Sequence, residues 1–127
     1  MKKQDLPLSP HLQIYKPQIT SLLSISHRIS GVALNFVLVI LVLGLLCITL
    51  GESYFELLIS LINSFPIKII IFLAILGFSY HFLNGIRHII WDFGFLLGNR
   101  SSAIFGYIII ATSFISSIFI SRLLGLF

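Results

Sequence analysis

Charge is what this chain has least of. Only 9% of its 127 residues are Asp, Glu, Lys or Arg, while 57% are hydrophobic; an ordinary soluble domain is roughly 25% charged. A short chain needs a polar skin, because a small domain has a large surface for its volume. Eight Lys and Arg with four Asp and Glu cannot supply one. The shortage excludes a free soluble enzyme, a disordered tail and a nucleic-acid binder, and the mean hydropathy of +1.09 agrees. The solvent of this chain is lipid. Cysteine is nearly absent too. Cys47 stands alone inside an apolar run, so neither an internal disulfide nor a Cys-based metal cluster is available. No internal repeat or low-complexity linker occurs.

What is present is long apolar runs. Ile29 to Gly51 holds no Asp, Glu, Lys, Arg or His, long enough at ~1.5 Å per residue to cross ~30 Å of hydrocarbon. A second span covers about 66–90, interrupted in its interior by His81, with Pro66 in its first turn, where a missing N–H does no harm. The third covers about 101–121. The fold class expected is all-α: an integral membrane protein with three transmembrane helices in a single domain, 1–127. The connections, roughly 52–65 and 91–102, are short enough for antiparallel neighbours. Residues 1–28 form an inner-face segment and the start of the first helix, with Ile19 to Ser30 opening a helix that runs into the first span. They do not read as a signal peptide, because a polar stretch with Pro7, Pro10 and Pro17 separates the basic residues from the apolar run.

The loops are asymmetric. Lys2, Lys3, Lys16, Arg28, Arg87 and Arg100 lie towards the N-terminal segment and the second connection, against Lys68 and Arg122 on the other side. This bias puts the N-terminus on the cytoplasmic or matrix side, and it accounts for the net charge of +4 without a nucleic-acid partner. Trp91 sits where interfacial aromatics collect.

Ionisable residues in membrane spans are costly and are functional candidates. In the first cluster, Ser24, His27, Arg28 and Gly31 share one helical face. They read either as an interfacial anchor, with Arg28 snorkelling to the headgroups, or as a hydroxyl, an imidazole and a guanidinium converging on a ligand. In the second cluster, Gly77, His81, Gly85 and His88 share a face, with His81 about 15 Å inside Trp91 along the helix. The small residues either permit close helix packing or clear space for a b-type haem ligated by imidazole. His88 is about 10 Å further along the same helix than His81, so the two cannot ligate one iron, whose axial nitrogens stand ~4 Å apart at ~2 Å per bond. On this reading His27 is too shallow to face His81, and His11 is outside the membrane. A haem on His81 would then take its second ligand from another chain.

Three segments together resemble a known family. They are Ser9-Pro10-His11-Leu12-Gln13-Ile14-Tyr15-Lys16-Pro17, then Ser24-x-x-His27-Arg28-x-Ser30-Gly31, then His81-x-x-Asn84-Gly85-x-Arg87-His88-x-x-Trp91-Asp92. Over essentially the whole chain they resemble the cytochrome b subunit of succinate dehydrogenase, respiratory complex II, of the mitochondrial and alpha-proteobacterial type. One departure is Leu6, where many relatives have Arg; it touches no cofactor motif.

The resemblance implies a mitochondrial or bacterial inner-membrane protein. It implies a second small anchor subunit that shares one haem b and supplies its other ligand, with a flavoprotein subunit and an iron–sulfur subunit docked on the inner face. Electrons from succinate would reach ubiquinone. His81 would be the haem iron ligand. Ser24 and Arg28 would bind the quinone, and His27, Arg28 and His88 would lie near the haem propionates. Asp92 would pair with Arg87 or His88 or serve proton delivery, and Arg100 would orient the chain or dock a partner. The chain would not be a complete enzyme, since it has no flavin fingerprint. The competing readings are a haem-free structural anchor of a respiratory complex and a proton or ion carrier relaying through His81, the latter weakened by the lack of a carboxylate inside any span.

Overall fold

Four helices make up the described part of the chain, residues 17–127 of a computed structural model. The expectations placed on Lys2, Lys3, Leu6, Pro7, Pro10, His11 and Lys16 lie outside the described residues. α1 runs Ile19–Thr49, α2 Glu52–Asn63, α3 Phe65–Asp92 and α4 Asn99–Leu123. Three of them, α1, α3 and α4, are long and apolar enough to cross a membrane. No strand occurs among the described residues.

Helix α1 begins ten residues before its charge-free run, directly after Pro17 and the extended Gln18. Its 31 residues span about 46 Å, well beyond the hydrocarbon thickness. The Ser24–Ser30 cluster therefore lies within the membrane-length helix. Helix α3 follows an extended Ser64 and carries Pro66 in its first turn, the position proline tolerates.

The connection expected over 52–65 is itself helical. Gly51 adopts a φ of 115°, which a side chain would strain, and the chain turns straight into α2. Glu52, Ser53, Glu56, Ser60 and Asn63 line one side of α2, while Tyr54, Phe55, Leu57, Leu58, Ile59, Leu61 and Ile62 occupy the rest. None of its residues is buried. Such a wide apolar arc with a narrow polar stripe is the pattern of a helix lying in a membrane surface. The period of that pattern is present in the sequence, but two glutamates mask it as a loop.

Helix α3 is central and touches α1, α2 and α4. Its seam with α4 is built on small residues: Ser102, Gly106, Ser113, Ser117 and Ser121, together with Ile109, form the buried stripe of α4. Small side chains let backbones approach, which is how helices associate where lipid removes the hydrophobic drive. Ser113 and Ser117 donate to the carbonyls of Ile109 and Ser113, at 2.7 and 2.5 Å, so these hydroxyls are satisfied within their own helix. A side chain at Gly106 would collide with Leu23 of α1. Leu23 is one of the few buried apolar side chains. Most large apolar residues of the spans are exposed, among them Phe36, Leu45, Phe78, Ile115 and Phe119. Their solvent is hydrocarbon.

Candidate functional site

The site forms where α1 and α3 pack side by side near the N-terminal end of the bundle. The ring of His27 stacks on His81, with centroids 4.1 Å apart and planes at 27°. On its other side it meets His88, at 5.1 Å and 25°. His88 in turn meets the edge of Trp91 at 5.1 Å. Three imidazoles and an indole thus form one column across the two helices. This corrects the expectation that His27 is too shallow to face His81. The charge-free run starts at Ile29, but the helix starts at Ile19, so His27 stands two turns inside it.

The hydrogen bonds of His81 fix its protonation. Its Nδ1 lies 3.1 Å from the carbonyl oxygen of His27 and 3.1 Å from Ser30 Oγ. A carbonyl oxygen only accepts, so Nδ1 carries the hydrogen. The Ser30 hydroxyl donates to the same carbonyl at 2.8 Å, which leaves its oxygen as the second acceptor for Nδ1–H. The lone pair of His81 is therefore on Nε2. A metal-ligating histidine is usually held this way, with its other ring N–H donated to a carbonyl that sets orientation and basicity.

Gly31 makes room for this ring. A Cβ at residue 31 would stand 2.9 Å from His81 Cε1. Gly85 is less tight, its nearest neighbour being His27 Nε2 at 4.0 Å. Spacing along α3 groups Gly77 with the histidines, and this too needs correction. Gly77 opens onto a different cavity beside Tyr80, Leu73 and Leu76, and a Cβ there would meet nothing within 4 Å. Close packing against His81 belongs to Gly31.

A second polar cluster, which no sequence motif separates from the first, lies behind the column. Arg87 is only 1% exposed and Asn84 fully buried. Arg87 Nη2 donates to the Ser102 carbonyl at 3.1 Å and to Ser102 Oγ at 2.8 Å. Nη1 donates to Asn84 Oδ1 at 3.3 Å, and the guanidinium lies 4.1 Å over the Trp91 ring, a cation–π contact. Arg87 does not use Asp92, which is exposed. The signal for this cluster is the serine and glycine spacing of α4, which reads as a helix-packing face. Tyr80 adds a tie between α1 and α3, its hydroxyl donating to the Leu23 carbonyl at 2.8 Å.

Ser24 and Arg28 occupy the same face of α1, one turn apart. Ser24 is half-buried and Arg28 exposed, beside an apolar cleft that includes Ile29, Val32 and Phe36. Arg28 is thus free to meet a group that this chain does not contain.

The donor set suits the expected haem in two respects. His81 offers an oriented Nε2 lone pair on a helix long and apolar enough to cross a membrane. His27 Nε2 is buried with no hydrogen-bond partner, and a buried polar atom of that kind calls for a further group. Among the described residues no three or more His, Cys, Asp or Glu side chains gather as a metal site.

Comparison with known proteins points the same way. The family model for the succinate dehydrogenase/fumarate reductase transmembrane subunit matches residues 2–120. The chain is 44% identical over 107 residues to a succinate dehydrogenase cytochrome b556 subunit of Rickettsia typhi, covering 84% of this chain and 83% of that one. It is 45% identical over 101 residues to a cytochrome b560 subunit of Marchantia polymorpha, covering 75% and 73%. It is 44% identical over 104 residues to the b560 subunit of Chondrus crispus, covering 76% and 78%.

Proposed function

This chain belongs to the succinate dehydrogenase/fumarate reductase transmembrane-subunit family, and from that premise we propose that it is the cytochrome b anchor of an inner-membrane succinate dehydrogenase. In this reading it shares one haem b with a second small anchor subunit. It docks an iron–sulfur subunit and a flavoprotein subunit, and it helps form the site where ubiquinone is reduced.

The observation that carries the haem assignment is the His81 Nδ1–H bond to the His27 carbonyl, which leaves Nε2 as a ligand to iron. When bound, the haem supplies a one-electron carrier inside the membrane. His27 and His81 are stacked in direct contact, with no space for a metal between the rings, and in this reading the partner anchor would supply the other ligand to the iron. His27, through its partnerless Nε2, His88 and Arg28 serve the propionates. Anions near the interface are matched by imidazole and guanidinium donors.

For the quinone, Ser24 provides a hydroxyl donor to a carbonyl oxygen. Arg28, one turn on, provides positive charge where reduction builds negative charge on oxygen, and fixed donors act most strongly on charge that develops during reaction. The quinone takes up two electrons and two protons to become the quinol. The protons come from the aqueous side on which the site lies, and the electrons from succinate oxidation in the peripheral subunits. A polar head can stay at the interface there while its tail lies in lipid.

The decisive experiment is His81→Ala in the purified complex. The b-type absorption spectrum is expected to be lost or converted from its bis-imidazole form. An unchanged spectrum would remove His81 as the ligand. A complex with no b-type spectrum even in the wild type would favour the haem-free structural anchor.

A further inference from the structure

A cavity of about 530 Å³ lies among the three spans, and none of the stacked histidines lines it. That volume is within the range of small-ligand sites. It is walled by all three spans: Ile19, Leu22 and Ser26 of α1, Leu73 and Gly77 of α3, and Phe114 of α4 among others. It reaches from the first residue of α1 to a level eight residues into α3 from its opposite end, so it is long and runs with the helices.

The walls are dry. Ser113 reaches the lining, but its hydroxyl donates to the Ile109 carbonyl. Tyr80 also reaches it, but its hydroxyl donates to the Leu23 carbonyl, and Ser26 hydrogen-bonds the same tyrosine. Groups already satisfied within the fold ask nothing of an occupant, and water needs several polar partners to stay. The shape and the chemistry both call for a hydrocarbon chain.

Ile19 also borders a second cavity, of about 310 Å³. Its remaining lining is of the other character: Gln18, Thr20 and Asn99, with Ala103. Arg100 follows in the first turn of α4. A long apolar groove and a polar niche thus lie on either side of Ile19, at the end of the bundle where α1 and α4 begin. The groove is also continuous with the exposed apolar surface of the spans, where bilayer lipid is already the solvent.

We propose that these two cavities are one binding site for a phospholipid of the bilayer, with an acyl chain in the groove and the ester and phosphate region in the Gln18–Thr20–Asn99 niche. The lipid fills the space that α1, α3 and α4 wall, and so acts as a structural part of the anchor. This inference depends on the membrane assignment alone and not on the haem or quinone reading.

The test is made on the intact complex. Gly77→Phe fills the groove from a position where a Cβ meets nothing within 4 Å. After exhaustive detergent washing, wild-type complex should retain one more phospholipid phosphorus per copy of this chain than Gly77→Phe. Retention of equal phosphorus by both forms overturns the proposal. Loss of a quinone from the variant with phosphorus unchanged also overturns it, and reassigns the groove to an isoprenoid tail. If Gly77→Phe fails to assemble, wild-type complex is photolabelled with a phospholipid carrying a diazirine in mid-chain. Adducts retained after washing should fall in 19–26, 73–80 and 110–114. Adducts confined to the exposed stretch 36–46 of α1 would refute the site.

Discussion

Gly31 and His81 face each other so closely that a single methyl group at residue 31 would come within 2.9 Å of His81 Cε1. His81 is held from two directions, by this backbone and by the carbonyl of His27, so the ring has little freedom to yield. Gly31→Ala is therefore expected to displace the ring and lower the haem-to-protein ratio of the purified complex, and Gly31→Val to lower it further. Overpacking of this kind costs about 1–3 kcal/mol. Gly44→Ala is the control, since a Cβ there meets nothing within 4 Å. Equal haem content in all three variants would detach Gly31 from the site.

Ser102 accepts from Arg87 through both its hydroxyl and its carbonyl. Ser102→Ala leaves a buried guanidinium hydrogen short of a partner, a loss of about 1–3 kcal/mol. Thermal unfolding of the complex should shift down accordingly. Arg87→Lys should do at least as much harm, because an ammonium cannot reach Asn84 and Ser102 together while lying flat on Trp91. A melting curve unmoved by either change would count against the bridge as a stabilising tie.

The quinone assignment separates from assembly by a comparison of two activities. Ser24→Ala removes a hydrogen bond worth roughly 0.5–1.5 kcal/mol in a neutral setting, so quinone reduction should fall several-fold. Arg28→Leu removes a charge and should cost more. Succinate oxidation by an artificial acceptor that takes electrons upstream should stay near normal in both. Parallel loss of both activities would point to failed assembly, and normal quinone reduction in both variants would move the site elsewhere.

Topology can be read with thiol reagents in sealed vesicles, with Cys47 replaced by Ala. The charge bias predicts that Ser101→Cys is labelled from the cytoplasmic or matrix side. Ser60→Cys, on the polar stripe of α2, should be labelled from the opposite side. Leu57→Cys, on the apolar arc of the same helix, should resist a water-soluble maleimide. Equal reactivity at 57 and 60 would show that α2 does not lie in the membrane surface, and labelling of Ser101→Cys only from the far side would invert the topology.

The spans are legible in the sequence because charge cannot be hidden in hydrocarbon. A run without Asp, Glu, Lys, Arg or His declares itself, and α1, α3 and α4 each contain one or are interrupted only by a candidate functional residue. The histidine column is legible only by halves. Spacing along α3 correctly separates His81 from His88, but the depth of His27 depends on where the helix starts and not on where charge stops. A helix opening at Ile19 can be read from the sequence, but which of its faces meets α3 cannot. Gly31 and Gly77 show the same limit. Both are small residues near a motif, and only the packing of α1 against α3 tells which one faces the imidazole. Arg87 looks like a topology signal because a basic residue near a span end usually is one. Its burial depends on Ser102, fifteen residues away on another helix.

Ser113, Ser116 and Ser117 of α4 turn their hydroxyls back onto their own helix, so they add proximity to the α3–α4 seam and no directional bond across it. Among the described residues, the hydrogen bonds that cross that seam are those of Arg87 to Ser102. The seam is therefore a zipper fastened at one end. Beyond Gly106 the two helices are held by contact alone, as far as the Phe72 and Phe127 rings, whose centroids lie 6.3 Å apart near the other end. Fraying of the pair begins at that far end, and amide exchange along α4 should rise from Ser102 towards Ser121 while the region around the imidazoles keeps its shape.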